Sequence, residues 1–490
     1  MSTTSSFWTR SWSRLCGTQR RRSRRHSCLP PSARRLRRFE SLEDRSVLSA
    51  TFGSAIDLGG PEGERVFDLK LDDVGNTFVT GYYMGTADFD HGGVHLGDAD
   101  ILTAKGGTDA FVAKYAPNNS LLWVRSLGGD AVDPGYISEA GRSLSVDQNG
   151  NVFVTGEFWG RGTFGATELV SAGSGDGFLA KLTADGTFAW AKSWGAAGND
   201  AARGVDVDAQ GNAYVINSPY DAGPNTLEKF SSTGQSLWKK SIVGSSDVAV
   251  TPAGRIYVVG SFTGKVDFDP GPKTKYVTAG TNSGGFVLNL DANGNFGWVS
   301  PFVGSGSAYA SAVEVDGAGS VYAGGKYYGA VDFDPSGKVS TLSSAGGSYI
   351  TKLSSSGSLV WARGLSGGGS NSLYGLAVDS TGNVYATGTF YSSIDLDPGA
   401  GSVVHTTSGS SDGDIFVVKL SSSGNYVWGE TFGSVGLDIG YGLAIDNEGE
   451  VVLGGMFSDI VDFDPDPLSE QVLGSIGSRF EGFVLRLNQH

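Results

Sequence analysis

Cysteine, methionine and histidine are scarce in this 490-residue chain, which has two, three and five of them respectively. Both cysteines, Cys16 and Cys28, lie in an arginine-rich N-terminal stretch, so no disulfide can form within residues 50–490. The lack of cysteine there is compatible with an oxidising compartment. The sequence has no Cys/His metal spacing, phosphate-binding loop or dinucleotide fingerprint. It also has no apolar run of about 18 residues, so no transmembrane helix is expected.

Proline is also rare, with 15 residues against 76 glycines. An excess of glycine without proline indicates many tight turns in ordered structure rather than a disordered tract. The net charge of −15 hides an asymmetry: residues 1–50 hold 12 arginines against three carboxylates and carry +9, so the remainder carries −24. An acidic folded part argues against nucleic acid as a partner and fits an exported protein or one that uses cations.

One stretch, Leu373–Ser434, recurs with changes about seven times along the chain. Within it, apolar residues alternate on either side of an Asp-x-x-Gly-Asn turn. A third apolar run follows a long loop, hereafter the excursion, and a fourth run contains a tryptophan. This pattern predicts four short antiparallel strands per unit. Two markers keep the same phase: the turn glycine, at Gly75, Gly150, Gly211, Gly254, Gly319, Gly382 and Gly449, and the closing tryptophan, at Trp123, Trp190, Trp238, Trp298, Trp361 and Trp428.

Repetition at this period, with four strands per unit and no helical signal, indicates radially packed sheets, because one such sheet cannot bury both faces alone. The sequence therefore predicts an all-β fold: a seven-bladed β-propeller of four-stranded antiparallel blades over residues 50–490, after a disordered basic leader at residues 1–49. The predicted repeats are residues 61–129, 140–198, 202–244, 246–304, 310–367, 373–434, and 440–490 together with 50–60.

The last unit lacks its fourth strand, whereas residues 50–60 resemble the closing strand of the other units. We therefore expect Phe52–Leu58 to pair with Gly482–Leu487 and to complete the last blade, which closes the ring. Phe52, Ile56 and Leu58 are expected to be buried, which makes this strand worth roughly 4–9 kcal/mol as an upper bound.

The repeated motifs D-x-x-G-N-x-Y-V-T-G, D-x-F-V-x-K-L and W-x-x-x-x-G resemble those of the bacterial SBBP-type β-propeller repeat family over nearly all of residues 51–490. Unit three departs from the family pattern between Val215 and Leu227, where its short excursion implies a shorter blade. The segment Phe39–Ala50, FESLEDRSVLSA, resembles F-E-x-L-E-D-R-x-L-L-S-A near the start of planctomycete-type exported proteins, with Val47 as the departure. This resemblance implies an exported protein, extracellular or at the cell surface.

An Asp-x-Asp motif recurs in the excursions of five units. In an extended segment, residues i and i+2 point the same way, so the paired carboxylates would converge and could bind calcium weakly. Alternatively, the Asp side chains cap backbone N–H groups in a turn in which Pro fixes φ. The candidate metal ligands are Asp88, Asp90, Asp267, Asp269, Asp332, Asp334, Asp395, Asp397, Asp462 and Asp464.

Two further groups of side chains are candidates for binding. His91 and His95 lie among carboxylates in one unit, where they could chelate a transition metal or form a solvated loop. The periodic tryptophans are expected to pack between blades. The aromatic residues outside the repeat pattern are candidate ligand contacts, namely Trp159, Trp194, Tyr220, Tyr327 and Tyr328.

The regular repeats and the lack of a unique catalytic constellation favour an exported, non-enzymatic binding or cell-surface interaction module. The long loops between strands two and three and between units emerge on one face, so an unknown protein or glycan ligand is expected there, around the central channel. Two alternatives stay open: a carbohydrate-active lyase or hydrolase with acidic residues at the channel mouth, and a structural surface-layer component. We expect a monomeric ring without nucleic acid or a membrane span, and calcium is the one candidate cofactor.

Overall fold

The structure is a computed structural model that describes residues 49–90, 100–129, 139–219, 223–409, 412–475 and 480–489. The basic leader, including both cysteines and most of the export-type segment, lies outside the described residues, as do His91, His95 and Tyr220. Within the described ranges every regular element is a β-strand, and no helix there is long and apolar enough to cross a membrane.

The strands up to residue 242 are joined mostly by short turns. They are β1 (Ala50–Leu58), β2 (Glu64–Leu71), β3 (Thr77–Asp88), β4 (Ile101–Tyr115), β5 (Leu121–Gly129), β6 (Ala140–Val146), β7 (Val152–Phe164), β8 (Thr167–Leu182), β9 (Phe188–Trp194), β10 (Asp200–Val207), β11 (Ala213–Pro219), β12 (Asn225–Phe230) and β13 (Ser236–Ile242).

The strands from residue 245 onward include three short pairs inside the long excursions. They are β14 (Ser245–Val250), β15 (Ile256–Phe262), β16 (Lys265–Asp267), β17 (Tyr276–Thr278), β18 (Gly284–Leu290), β19 (Phe296–Gly304), β20 (Ser307–Val315), β21 (Val321–Asp332), β22 (Thr341–Leu353), β23 (Leu359–Leu365), β24 (Ser372–Val378), β25 (Val384–Tyr391), β26 (Ser393–Asp395), β27 (Val404–Thr406), β28 (Gly413–Leu420), β29 (Tyr426–Phe432), β30 (Ile439–Ile445), β31 (Val451–Phe457), β32 (Ile460–Asp462), β33 (Val472–Gly474) and β34 (Glu481–Gln489).

The main strands pair antiparallel in groups of four, which confirms the predicted all-β class and the four strands per unit. The groups are β2–β5, β6–β9, β10–β13, β14 with β15, β18 and β19, β20–β23, β24 with β25, β28 and β29, and β30 with β31, β34 and β1. Two-residue bridges from β5 to β7 and from β19 to β21 join two pairs of groups into eight-stranded sheets. In the group β10–β13 the second and third strands have seven and six residues, which agrees with the shorter blade expected for unit three.

A tight turn joins the first and second strands of each group. In the first group, Asp72 Oδ1 accepts hydrogen bonds from the backbone N–H of Val74 (3.2 Å) and Asn76 (2.9 Å). Gly75 has φ +81°, a left-handed conformation that glycine adopts without steric cost. All seven predicted turn glycines have positive φ, so the repeat phase read from them is confirmed.

The first strand of every group carries a β-bulge. The register between β2 and β3 shifts between Val66 and Asp68, and equivalent shifts occur in the other six groups. A bulge places two residues of one strand opposite one residue of its partner and re-aims the side chains. Consecutive residues, such as Phe67 and Asp68, therefore both face the same cavity.

Strand β1 pairs with β34, the arrangement predicted for the closing strand. Phe52 lies opposite Leu487 and Leu58 opposite Gly482. Leu58 is fully buried, but Phe52 and Ile56 are only half-buried, contrary to the expectation for all three. The difference has a simple cause: β1 is the outermost strand of its sheet, so its side chains are covered from fewer directions.

The periodic tryptophans pack against the following group, as expected. The indole N–H of Trp123 donates to the carbonyl oxygen of Ala184 (3.1 Å), and a side chain at Gly186 would clash with the Trp123 ring. The same bond to the turn between the third and fourth strands of the next group is made by Trp190 to Ser232, Trp298 to Ser355 and Trp361 to Ser422.

The contact between the last group and the first has a different construction. In the first group, Trp123 on the fourth strand pairs with Lys114 on the third. At the equivalent position of the last group, Ser54 pairs with Arg486. Arg486 is 1% exposed and donates to Asn119 Oδ1 (2.9 Å) through Nε. It also donates to the Gly75 carbonyl and the Thr77 hydroxyl through Nη2, and it forms an ion pair with Glu450.

Two buried carboxyl groups meet at this same contact. Glu64 begins β2 and Glu481 begins β34, and both are nearly inaccessible to solvent, at 0% and 1% exposed. Burial, and secondarily the neighbouring Glu481, raises the pKa of Glu64 to about 10. Glu64 therefore holds its proton in the folded protein at neutral pH, because an ionised carboxylate is costly in a buried site beside another carboxylate.

Glu64→Gln is expected to stabilise the protein increasingly as pH rises. The folded pKa exceeds the unfolded value, so wild-type folding becomes less favourable as pH rises from about 4.5 towards the folded pKa. The variant cannot ionise and should be more stable at pH 8–9 by about 3–5 kcal/mol, with a difference below about 1 kcal/mol at pH 5. Urea unfolding at both pH values measures this. The exposed Glu62→Gln is the matched control, and a pH-independent effect of Glu64→Gln would contradict the assignment.

Candidate binding site among the first strands

The first strands of successive groups lie next to one another. Strand β2 contacts β6, and the same contact links β6 to β10, β10 to β14, β14 to β20, β20 to β24, β24 to β30 and β30 to β2. Among these seven strands lies a cavity of about 320 Å³, hereafter the first-strand cavity, which is lined by residues of all of them. Its lining is mostly polar, which sets it apart from the apolar contacts between the sheets.

One ion pair spans the first-strand cavity. Lys70 Nζ on β2 lies 3.1 Å from Glu314 Oε1 on β20, and these strands are not neighbours in the order of contacts. Glu314 raises the pKa of Lys70, with smaller contributions from Asp68, Asp206 and Asp247. Lys70 is thus the positive centre of a cavity with four carboxylates.

Three of those carboxylates also connect neighbouring first strands. Each accepts a hydrogen bond from the backbone N–H of the next residue and another from a backbone N–H of the following first strand. The bonds between strands join Asp68 to Leu144 (2.9 Å), Asp206 to Val250 (2.6 Å) and Asp247 to Val313 (3.0 Å). Each of these bonds satisfies a backbone N–H group at a strand edge that has no further strand to pair with. These aspartates therefore connect neighbouring first strands.

Burial raises the pKa of these aspartates despite their hydrogen bonds. The pKa of Asp206 rises to about 6 and that of Asp247 to about 7, and the pKa of Asp68 is raised as well. Burial is the largest cause in each case because it disfavours the charged form. The charge of the first-strand cavity therefore changes across the neutral pH range.

A smaller recess of about 230 Å³ opens at one end of this cavity, hereafter the mouth recess. Its lining is Phe67, Arg142, Arg203, Ser246, Tyr374 and Tyr441. These residues lie near the beginnings of their strands, so the recess is at the end away from the Asp-x-x-Gly turns. Six side chains on six first strands thus form one aromatic and cationic surface.

The aromatic rings of the mouth recess form a continuous wall. The Tyr441 ring lies 5.3 Å from that of Phe67 and 5.2 Å from that of Tyr374. The guanidinium of Arg142 lies 4.6 Å from the Phe67 ring centroid, and its Nε donates to Glu157 Oε1 at 2.8 Å. Arg142 is thereby fixed in place by a stacking contact and a buried carboxylate.

The Asp-x-Asp candidates occupy turns. Asp332 Oδ1 accepts from the backbone N–H of Asp334 (3.0 Å) and Ser340 (2.9 Å), and Asp334 Oδ1 accepts from Ser336 (2.9 Å). Equivalent bonds are made by Asp267 and Asp269, Asp395 and Asp397, and Asp462 and Asp464, while Asp88 accepts from the N–H of Asp90. These bonds match the turn interpretation, in which aspartate side chains cap backbone N–H groups.

The residue between the two aspartates anchors each excursion to the sheet. Phe333 is fully buried, with its ring 4.8 Å from that of Tyr349, and Phe463 lies 4.9 Å from Phe483. Phe89, Phe268 and Leu396 are buried at the same position. Among the described residues no cluster of three or more His, Cys, Asp or Glu side chains is arranged to hold a metal ion.

Comparison with known proteins finds distant likenesses. No family model matches the chain. A curated relative, an uncharacterized WD repeat-containing protein of Acanthamoeba polyphaga mimivirus, is 30% identical over 111 residues, which are 22% of this chain and 8% of that protein. This chain thus matches only a small part of that relative's length.

Similar solved structures include BamB from Moraxella catarrhalis, at 13% identity and TM-score 0.38 over 90% of this chain and 99% of the other. The Neurospora crassa Pan2 WD40 domain is 8% identical, with TM-score 0.44 over 90% and 96% of the two chains. A gluconolactonase from Xanthomonas campestris is 12% identical, with TM-score 0.35 over 89% and 98%. At these values the likenesses carry no argument about function.

The structure places the aromatic candidates outside the repeat pattern in different environments. Tyr327 is 2% exposed and belongs to an apolar core, so its prediction as an exposed ligand contact is wrong. The Trp194 ring stacks on Phe230 at 5.6 Å, and the Tyr328 hydroxyl is hydrogen-bonded to Ser370. None of the four candidates among the described residues lines the mouth recess.

Sequence reasoning missed the residues of both cavities. A signal was available: Phe67, Arg142, Arg203, Tyr374 and Tyr441 all stand five residues before the first aspartate of the turn. In these five units the residue at that position is aromatic or cationic. Large side chains at one shared register position of the first strands indicate a common surface.

Lys70→Met is expected to destabilise the protein in a pH-dependent way. The variant leaves four carboxylates without the ammonium group between them, which should cost about 1–3 kcal/mol at pH 8. The cost should shrink at pH 5, where Asp206 and Asp247 hold protons because their folded pKa values are about 6 and 7. Urea unfolding at both pH values measures the effect.

The double variant Lys70→Met/Glu314→Gln should regain part of the loss, because it removes one of the uncompensated charges. Lys273→Met, at an exposed lysine outside the cavity, is the control. An equal loss at pH 5 and pH 8 would show that Lys70 acts through packing rather than charge.

Proposed function

We propose that residues 50–490 form a closed seven-bladed β-propeller that is exported and acts as a non-enzymatic binding module, with its ligand at the mouth recess. The fold part of this proposal is supported by the strand pairing. Seven groups of four strands follow from the pairings within the described residues, and the contacts between first strands lead from β2 through every group back to β2. The first-strand cavity is then the central channel of the propeller.

The closed arrangement can be tested by deleting Ala50–Leu58. Counting Leu58 as fully buried and Phe52 and Ile56 as half-buried, the deletion should cost about 3–6 kcal/mol. In a ring, every blade should be weakened together in one cooperative transition. In an open stack, only the terminal sheet should melt earlier, which would give two transitions. Calorimetry distinguishes them, and deletion of residues 2–10 is the control of equal length.

The binding role rests on one observation: the mouth recess groups aromatic and cationic side chains that occupy one register position and differ in type from unit to unit. A rigid scaffold with variable residues at one end is a common design for recognition. The carboxylates deeper in the cavity are already engaged by backbone N–H groups or by Lys70. Their engagement favours binding over acid–base catalysis, for which a carboxyl group must reach a substrate proton.

Export and calcium binding belong to this proposal as well. Export is supported by the likeness of Phe39–Ala50 to planctomycete-type export segments. Calcium would be bound weakly in the Asp-x-Asp loops, for example through Asp332 and Asp334, since each motif offers few oxygens beyond those used in turns. Because no Asp-x-Asp residue lines the mouth recess, ligand binding there should not require calcium.

A glycan and protein-partner screen on the full chain, with and without 2 mM Ca²⁺, tests the binding role. We expect a ligand whose binding is lost by about tenfold or more in Tyr374→Ala and is unchanged by calcium. Tyr276→Ala, at an exposed tyrosine of β17, is the matched control. Binding that is abolished by Asp332→Asn and calcium removal but not by Tyr374→Ala would place the site in the loops. Concentration-dependent assembly without a ligand would favour the surface-layer alternative.

A further inference from the structure

The mouth recess differs in charge from the rest of the folded part. Residues 51–490 carry −24, yet the lining of the recess contains two arginines and no carboxylate. Arg142 is held by Glu157, which offsets its charge, and Arg203 is exposed on β10. Two guanidinium groups in a lining without a carboxylate favour an anionic group of a ligand over a cationic one in the recess.

The aromatic wall of the mouth recess sets a second requirement for the ligand. The rings of Phe67, Tyr441 and Tyr374 provide apolar contact over the width of three first strands. The hydroxyl groups of Tyr374 and Tyr441 make no hydrogen bond to the described residues. Burial raises the pKa of Tyr441 to about 12, so the Tyr441 hydroxyl stays a neutral donor. Rings with free hydroxyl groups suit a ligand that is apolar on one face and rich in hydroxyl groups at its edge.

The cavity beneath the recess limits the ligand's charge. Asp68, Asp206, Asp247 and Glu314 surround Lys70 there, so a ligand that carries two negative charges is repelled more strongly than one that carries a single charge. Hydroxyl groups on that side of a ligand can instead donate to the acidic wall. All six residues of the recess also line the cavity, so the recess opens directly onto this acidic wall, and Ser246 adds a polar contact there.

The volume of the mouth recess indicates the size of the ligand. The recess, of about 230 Å³, is smaller than the roughly 300–1,000 Å³ of pockets for drug-sized molecules, which suits a single sugar ring. From these four properties we propose that the mouth recess binds a uronic acid, a sugar unit with one carboxylate, with Arg203 holding the carboxylate and Tyr374 and Tyr441 contacting the ring. This inference rests on the proposed binding function and specifies its ligand class.

The test compares three sugars by calorimetric titration of the full chain at low salt. Methyl glucuronide should bind at least about tenfold more tightly than methyl glucoside, its neutral counterpart. It should also bind more tightly than glucose 6-phosphate, which carries two charges. Arg203→Gln should remove most of the preference for glucuronide and leave methyl glucoside unchanged, whereas Tyr374→Ala should weaken both.

Arg255→Gln, at an exposed arginine outside the recess, is the control and should change neither affinity. Equal affinity for glucuronide and glucoside, or an equal effect of Arg203→Gln on both, overturns the uronic acid assignment. If both sugars still respond to Tyr374→Ala in that case, the proposed binding role of the recess stands. If no sugar binds and a ligand found in the screen is insensitive to Tyr374→Ala, the proposed site itself is wrong.

Discussion

Packing of each four-stranded sheet against the sheets before and after it is the interaction on which the rest of this structure depends. Adjacent residues of β3 show why. Phe78 belongs to an apolar core shared with β7 and β8, whereas Val79 belongs to one shared with β31 and β34. Because alternate side chains point to opposite faces of a strand, both faces of the sheet need a neighbour. No group can therefore be stable alone. The repeats are needed because each sheet buries its two apolar faces against its neighbours.

This packing also explains the polarity of the first-strand cavity. Where the first strands approach one another, each has an edge with backbone N–H groups that no further strand can pair. Asp68, Asp206 and Asp247 accept such groups from the neighbouring first strand. The carboxylates needed for this purpose accumulate negative charge, and the ammonium group of Lys70, which is also paired with Glu314, balances part of it. The acidic interior is thus a consequence of how the strand edges are satisfied.

Regular features of the fold could be predicted from sequence because they depend on local rules. The turn glycines need positive φ, the tryptophans recur at one phase, and the pairing of Phe52 with Leu487 follows from a missing strand. The cavities were missed because the bulge at Phe67 and Asp68 breaks the alternation on which strand prediction relies, although the recess residues share one position relative to the turn. Tyr327 was misjudged for a related reason: a residue outside the repeat pattern can still be buried between sheets.

The contact between the last group and the first must be made by chain ends that are far apart in sequence. An apolar contact such as that of Trp123 tolerates small displacements, whereas Arg486 needs Asn119, Thr77 and the Gly75 carbonyl in fixed directions. A buried ion pair contributes less to net stability than to the choice of one arrangement, because a misplaced partner leaves a charge unsatisfied. The bulge between Phe52 and Ser54 adds a second constraint on the register of β1. The one contact that lacks the repeated tryptophan is therefore the one whose alignment is most strictly specified.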